Sequence, residues 1–180
     1  DILEVRANAD STTVSSGGRQ LLAYGGKASN TIISTGALQT VSYGGTAHKA
    51  WVSSGGIQNV LCSGTALSSI VSMGGSLTVG SGGTAQSATV YYSGKSYIFS
   101  GGTAQGIRVS NGGWNLIYNG TAISTIVMEG GSQNVFGSAA GTVVQSRGTE
   151  IVNVSGTALD TVVLTAGTQT ISNGGTAVNT

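Results

Sequence analysis

The sequence predicts an all-β chain wound as a β-solenoid of 19-residue rungs, about nine of them, with three short strands in each. Three observations carry that reading. Residues 46–64, TAHKAWVSSGGIQNVLCSG, are rewritten over 65–83 as TALSSIVSMGGSLTVGSGG and over 84–102 as TAQSATVYYSGKSYIFSGG, a fixed period of the kind stacked repeats show. Two apolar columns run through the copies: Val14, Ile33, Val52, Val71, Val90, Val109, Val127, Val144 and Val163, then Leu22, Val41, Val60, Val79, Ile98, Ile117, Val135, Val152 and Ile171; a third column, from Ala9 and Ala28 to Ala158 and Ala177, is alanine throughout. Between the columns β-branched residues alternate with polar ones, and each short run ends at Gly-Gly or Ser-Gly, where positive φ permits a sharp corner.

A unit this short cannot stand as a sheet by itself. Stacked, each rung pairs in parallel with its neighbours, and equivalent residues form ladders along the axis. Nine rungs at about 4.8 Å make a rod about 45 Å long. Taken in order, residues 1–7 hold Asp1, Glu4 and Arg6, fit the repeat poorly, and are expected to be a partial rung or an N-terminal cap. Residues 8–180 are the repeats, expected to be a fragment of a longer protein because a stop in mid-rung would expose unpaired strand edges. The copies 8–26 and 27–45 are regular; 103–120 loses one residue and 121–137 loses two, both at the last corner; 138–156 and 157–175 regain full length. Deletions that spare the columns mark the columns as core and the corners as surface. Proline is absent, which suits strands whose N–H groups all have ladder partners.

Composition narrows the function classes. Charged residues make up 7 % of the chain and the net charge is +1, so there is no basic face with which to displace counterions from nucleic acid. Few charges also suit a ladder, in which like charges would stack one rung apart and repel. No run of eighteen apolar residues spans a membrane, and no basic-then-apolar leader is present, so any secretion signal is expected to lie outside this stretch. Cys62 is the single cysteine, which excludes a disulfide framework within the chain.

Catalysis is poorly supplied. His48 is the one histidine, and Asp10, Glu129, Glu150 and Asp160 fall in four different columns, so no acid and base converge. The Gly-Gly-x-Gly-x-Asp repeat that binds calcium is missing. No enzyme, cofactor or metal site is expected; a polysaccharide-acting β-helix enzyme and an unmodified scaffold stand as the alternatives.

Hydroxyls are better placed. If the Val52 column points inward, the next residue points outward, giving a ladder of Ser15, Ser34, Ser53, Ser72 and Ser110 beside the corner residues Ser16 and Ser54. Such a row is either a solvated polar face or a set of acceptors for O-linked sugar. Trp51, Ile32 and Ile70 share the column before the inner valine, and Trp114 follows a corner. Strict alternation turns Trp51 and Ile70 outward, where with Trp114 they could make side-to-side contacts between rods; a bent strand would turn them inward.

The repeat Gly-Gly-Thr-Ala-x-x-x-x-Val-x-x-Gly-Gly-x-Gln-x-Val-x-x-Gly-Gly, clearest at 44–64 and 102–120, resembles the passenger repeats of self-associating autotransporter adhesins of the diffuse-adherence type, over nearly the whole chain. The resemblance implies a right-handed parallel β-helix exported to the bacterial surface by an outer-membrane barrel that lies outside this fragment. It implies adhesion to host cells, autoaggregation with other copies of itself and biofilm formation. It further implies modification of serines and threonines, before export, by a cytoplasmic heptosyltransferase, with Ser15, Ser34, Ser53, Ser72 and Ser110 favoured over Ser16 and Ser54. The short corners at Asn119 and Gly137, and the loss of double glycine at Ser93 and Arg147, depart from the pattern and weigh against modification of every rung.

Overall fold

The computed structural model describes residues 2–180; Asp1, grouped by its sequence with the N-terminal partial rung, lies outside the described residues. Among those residues the elements are all strands, and no helix is long and apolar enough to cross a membrane. One rung shows the plan: Thr46–His48, a two-residue corner, Trp51–Val52, a double-glycine corner, Ile57–Val60, and a third corner. Strands of the Ile57–Val60 kind stack into a first sheet of ten, running from Ile2–Val5 to Thr168–Ile171. Those of the Thr46–His48 kind form a second sheet of ten, and the two-residue strands a third sheet of nine. Neighbouring strands are parallel and in register, Val52 opposite Val71, Val60 opposite Val79 and Ala47 opposite Ala66. Where a corner is shortened the columns still meet, Ile117 opposite Val135 and Ala122 opposite Ala139. Ile2–Val5 pairs with Arg19–Leu22 and so adds a strand ahead of the first full repeat.

The three columns legible in the sequence line the interior. Val52, Val71, Val60, Val79, Ala47 and Ala66 are all at most 1 % exposed, and each buried valine contributes about 1.5–3 kcal/mol. The columns open to solvent at Val163 and Ile171, which are 40 % and 42 % exposed in the last rung.

A fourth inward column is polar: the alternation of β-branched with polar residues sets Gln58 apart from Val60, and the structure does not. Side chains two apart on a strand share a face, and Gln58 lies fully buried beside Val60, as do Gln20, Gln39 and Gln133 beside their own column residues. These amides stack into a hydrogen-bonded ladder. Gln39 Nε2 donates to Gln20 Oε1 at 2.6 Å and Gln58 Nε2 donates to Gln39 Oε1 at 2.6 Å. Farther along, Asn115 Nδ2 donates to Gln133 Oε1, and Gln133 Nε2 donates to Glu150 Oε1, both at 2.8 Å. Gln169 Nε2 approaches from the other side and donates to Glu150 Oε2 at 2.8 Å. Two donor runs of opposite direction thus meet at Glu150, whose carboxylate, an acceptor only, can receive both.

The double glycines divide their work. Gly55 has φ +78° with nothing around its missing Cβ, so its glycine character serves the turn alone. Gly64, at the third corner, has an ordinary φ, but a Cβ there would collide with the Val41 carbonyl of the preceding rung. Close approach of stacked backbones, not turn geometry, demands glycine at that position.

Two stability tests follow. Gly64→Ala is expected to cost at least about 3 kcal/mol, because rigid backbone cannot yield to the added methyl, whereas Gly55→Asn is expected to cost under about 1 kcal/mol since asparagine tolerates positive φ; urea unfolding of the two variants should separate them. Gln39→Leu leaves Gln58 Nε2 without its acceptor and takes from Gln20 Oε1 its nearer donor, and should lose about 2–4 kcal/mol in the same assay despite its greater hydrophobicity.

Candidate functional site

The surface is divided by the corners into strips, and each strip repeats once per rung. The serine column after the inner valine does not face out as simple alternation suggests. Ser15 is exposed, Ser34, Ser53 and Ser110 are half-buried, and Ser72 is buried at 2 % exposure. This residue is already part of the corner: Ser53 N–H donates to Ile33 O of the rung before, and its carbonyl accepts from Gly56 N–H across the turn at 2.9 Å. Those two bonds hold the side chain close against the stack. Ser72 is held in the same way, between Ser53 and Tyr91 in its column. The adjoining tip residues Ser16 and Ser54 are exposed, and Ser54 sits at φ +52°. Folding therefore reverses the order of accessibility expected between the two columns.

A further hydroxyl row was missed. The first position of the corner between the second and third sheets holds Ser11, Asn30, Lys49, Ser68, Ser87, Gly106, Ser124, Gly141, Asp160 and Asn179, all with φ between +52° and +65°. Ser11, Ser87 and Ser124 are exposed and Ser68 is half-buried. The N–H groups here reach forward along the axis, Ser68 to Gln86 O and Ser87 to Gln105 O, each at 2.8 Å. The signal was available, since a column made largely of Ser, Asn, Asp and Gly is the composition a left-handed position selects.

Beside that row lies the apolar column whose direction the sequence left open. Ile32 and Trp51 point outward, 47 % and 48 % exposed, and Ile70 is half-buried. With Asn30, Lys49, Ser68, Ser87 and Thr89 they line a shallow groove of about 540 Å³. Trp114 is also outward, at 44 % exposure, but on the first sheet, so the fold does not bring it together with Trp51 and Ile70. Its neighbours are Ser93, Lys95, Tyr97 and Leu116 around a depression of about 440 Å³. Near that depression runs a stack the sequence reading did not single out, Phe99 on Tyr118 at 5.8 Å and Tyr118 on Phe136 at 5.2 Å between ring centroids, with Tyr97 against Phe99 at 6.1 Å. Aromatic residues recurring at the same column are its signature.

Ionisable groups are dispersed. Asp10, Glu129 and Asp160 are exposed, Glu150 is buried in the amide ladder, and among the described residues no three His, Cys, Asp or Glu side chains gather. The exposed ion pairs Arg6–Glu4 at 2.8 Å and Arg147–Glu129 at 2.6 Å add little to stability. What the surface offers chemically is rows of neutral hydroxyl acceptors alternating with apolar strips.

No protein-family model matches the chain, and no curated protein matches it by sequence. Among solved structures, the crystal structure of a TibC-catalysed hyper-glycosylated fragment of TibA, residues 55–350, superposes with a TM-score of 0.90 and 33 % sequence identity, covering 99 % of this chain and 70 % of that one.

Proposed function

Because the chain belongs to the family of autotransporter adhesin passengers represented by TibA, we propose that it is a surface-displayed adhesive rod whose hydroxyl rows are O-glycosylated, with heptose, by a dedicated transferase before export. The observation that carries this reading is the pairing of a 33 %-identical hyper-glycosylated neighbour with ladders of exposed serines on the same rung plan. Sugar must sit where it does not obstruct stacking. On that ground the acceptors are the tip residues Ser16 and Ser54 and the left-handed corner serines Ser11, Ser87 and Ser124, followed by Ser15, Ser34, Ser53 and Ser110. Ser72 ranks last, since a sugar there would have to lie within the rung stack.

Adhesion is assigned to the strip of Ile32, Trp51 and Ile70, which serves contact with other copies of the chain or with a host-cell surface. It is apolar, runs parallel to the rod axis and is bordered by one charged residue, Lys49, so side-to-side pairing buries chiefly uncharged surface. Trp114, on another sheet, would form a separate contact.

The intact mass of the chain, made with and without a heptosyltransferase of the TibC kind, tests the modification: discrete heptose increments are expected only with the enzyme, and peptide mapping should place them on the exposed rows and not on Ser72. An unchanged mass in both preparations would leave an unmodified solenoid. For the contact strip, Trp51→Ser with Ile70→Ser should reduce self-association in sedimentation velocity at least about tenfold in Kd, from the loss of apolar burial, while leaving the thermal midpoint within a few degrees; an unchanged association constant would remove the strip from the contact.

A further inference from the structure

Inside the rod the amide column faces a second buried column, and the two are read together. In four rungs the facing residue carries a hydroxyl that bonds to its partner: Thr31 with Gln20, Ser69 with Gln58, Thr142 with Gln133 and Thr161 with Glu150, at 2.8–3.5 Å. A fifth rung has the same polar pair, Asn115 facing Thr125, and does not close it. Asparagine is one methylene shorter than glutamine, and with its Nδ2 committed to Gln133, its Oδ1 has no partner. Thr125 Oγ1 is likewise unpartnered, as is Ser96 Oγ, which stands opposite Asn115 in the register of the neighbouring strand. All three residues are 0 % exposed.

Three orphaned polar atoms, two from adjacent strands of the first sheet and one from the corner that faces them, are the arrangement a buried water satisfies. Leaving them dry would cost about 1–3 kcal/mol each. Ser96 Oγ and Asn115 Oδ1 stand in register on adjacent strands and make no direct bond, and a molecule placed about 2.8 Å from each joins them. Room comes from the missing methylene of Asn115, whose rung pairs two short side chains, Asn115 and Thr125, where the next pairs Gln133 with Thr142.

We propose that the interior of the rod holds one structural water, donating to Asn115 Oδ1, accepting from Thr125 Oγ1 and completing its bonding with Ser96 Oγ. It closes the Asn115 end of the Asn115–Gln133–Glu150 run against Ser96 and acts as that run's terminal cap. Its ligand set needs no ion and is independent of any surface modification.

A crystal structure at about 1.5 Å should show a single well-ordered water within 3.2 Å or so of all three atoms. Oxygen-17 relaxation dispersion should count one long-lived water fewer in Asn115→Gln, whose added methylene brings the amide to Thr125 as in the Gln133–Thr142 rung. Thr125→Val, which removes one ligand with little change of shape, should lose the same signal and serves if the glutamine variant folds poorly. Electron density showing Thr125 Oγ1 bonded directly to Asn115 Oδ1 would overturn the proposal, as would an identical count of long-lived waters in the wild type and in a folded variant.

Discussion

The structure depends on the backbone hydrogen-bond ladder running parallel to the rod axis. Each rung must place its N–H groups opposite the carbonyls of a neighbouring rung, and this holds at the corners as well as in the strands: Trp51 N–H reaches back to Thr31 O and Ile70 N–H to Ala50 O at 2.8 Å, while the left-handed corner residue Lys49 reaches forward to Leu67 O at 2.8 Å. A residue gained or lost within a strand would turn every following side chain to the opposite face. Length changes are therefore confined to the third corner, where Asn119 and Gly137 close shortened turns without disturbing the columns on either side. The same constraint sets the second glycine of each doublet, since corners stacked this closely leave no space for a methyl.

Within that frame the interior is thin and partly polar. Stacked amides suit such a core because each can donate to one neighbour and accept from the other, so a buried polar column is satisfied along its own length. The arrangement has a direction, and Glu150 is the point at which two directions meet. Volume is traded between facing columns where the ladder is interrupted: Leu77 faces Ala88, and Ser96 faces Ile107, so the large residue moves from one wall to the other while the filling is kept.

Repetition also organises the exterior. Because each rung presents the same strips at the same angles, exposed serines recur in rows and the outward residues of the third sheet form an apolar stripe beside them. A row of weak, identical contacts on a stiff rod engages an opposing row with avidity beyond that of any one contact. Scarcity of charge supports this use, since stacked rods meet little like-charge repulsion. The tip serines Ser16 and Ser54 stand apart from the apolar stripe, whereas the corner serines Ser68 and Ser87 border it.

Period, strand number, parallel stacking and three of the inward columns were legible in the sequence, because a ladder forces equivalent residues to share one environment and so writes itself as a repeat. Val52, Val60 and Ala47 announce their burial by recurrence alone. The sequence left undecided which way Trp51 and Ile70 turn, and it pointed wrongly for Gln58 and Ser72. These were settled by local backbone geometry: Gln58 shares a pleat with Val60, Trp51 keeps strict alternation ahead of Val52, and Ser72 is drawn into the corner by its turn hydrogen bonds. Recurrence tells which residues lie together, but the pleat of each strand and the hydrogen bonding of each corner decide whether they face water or the core.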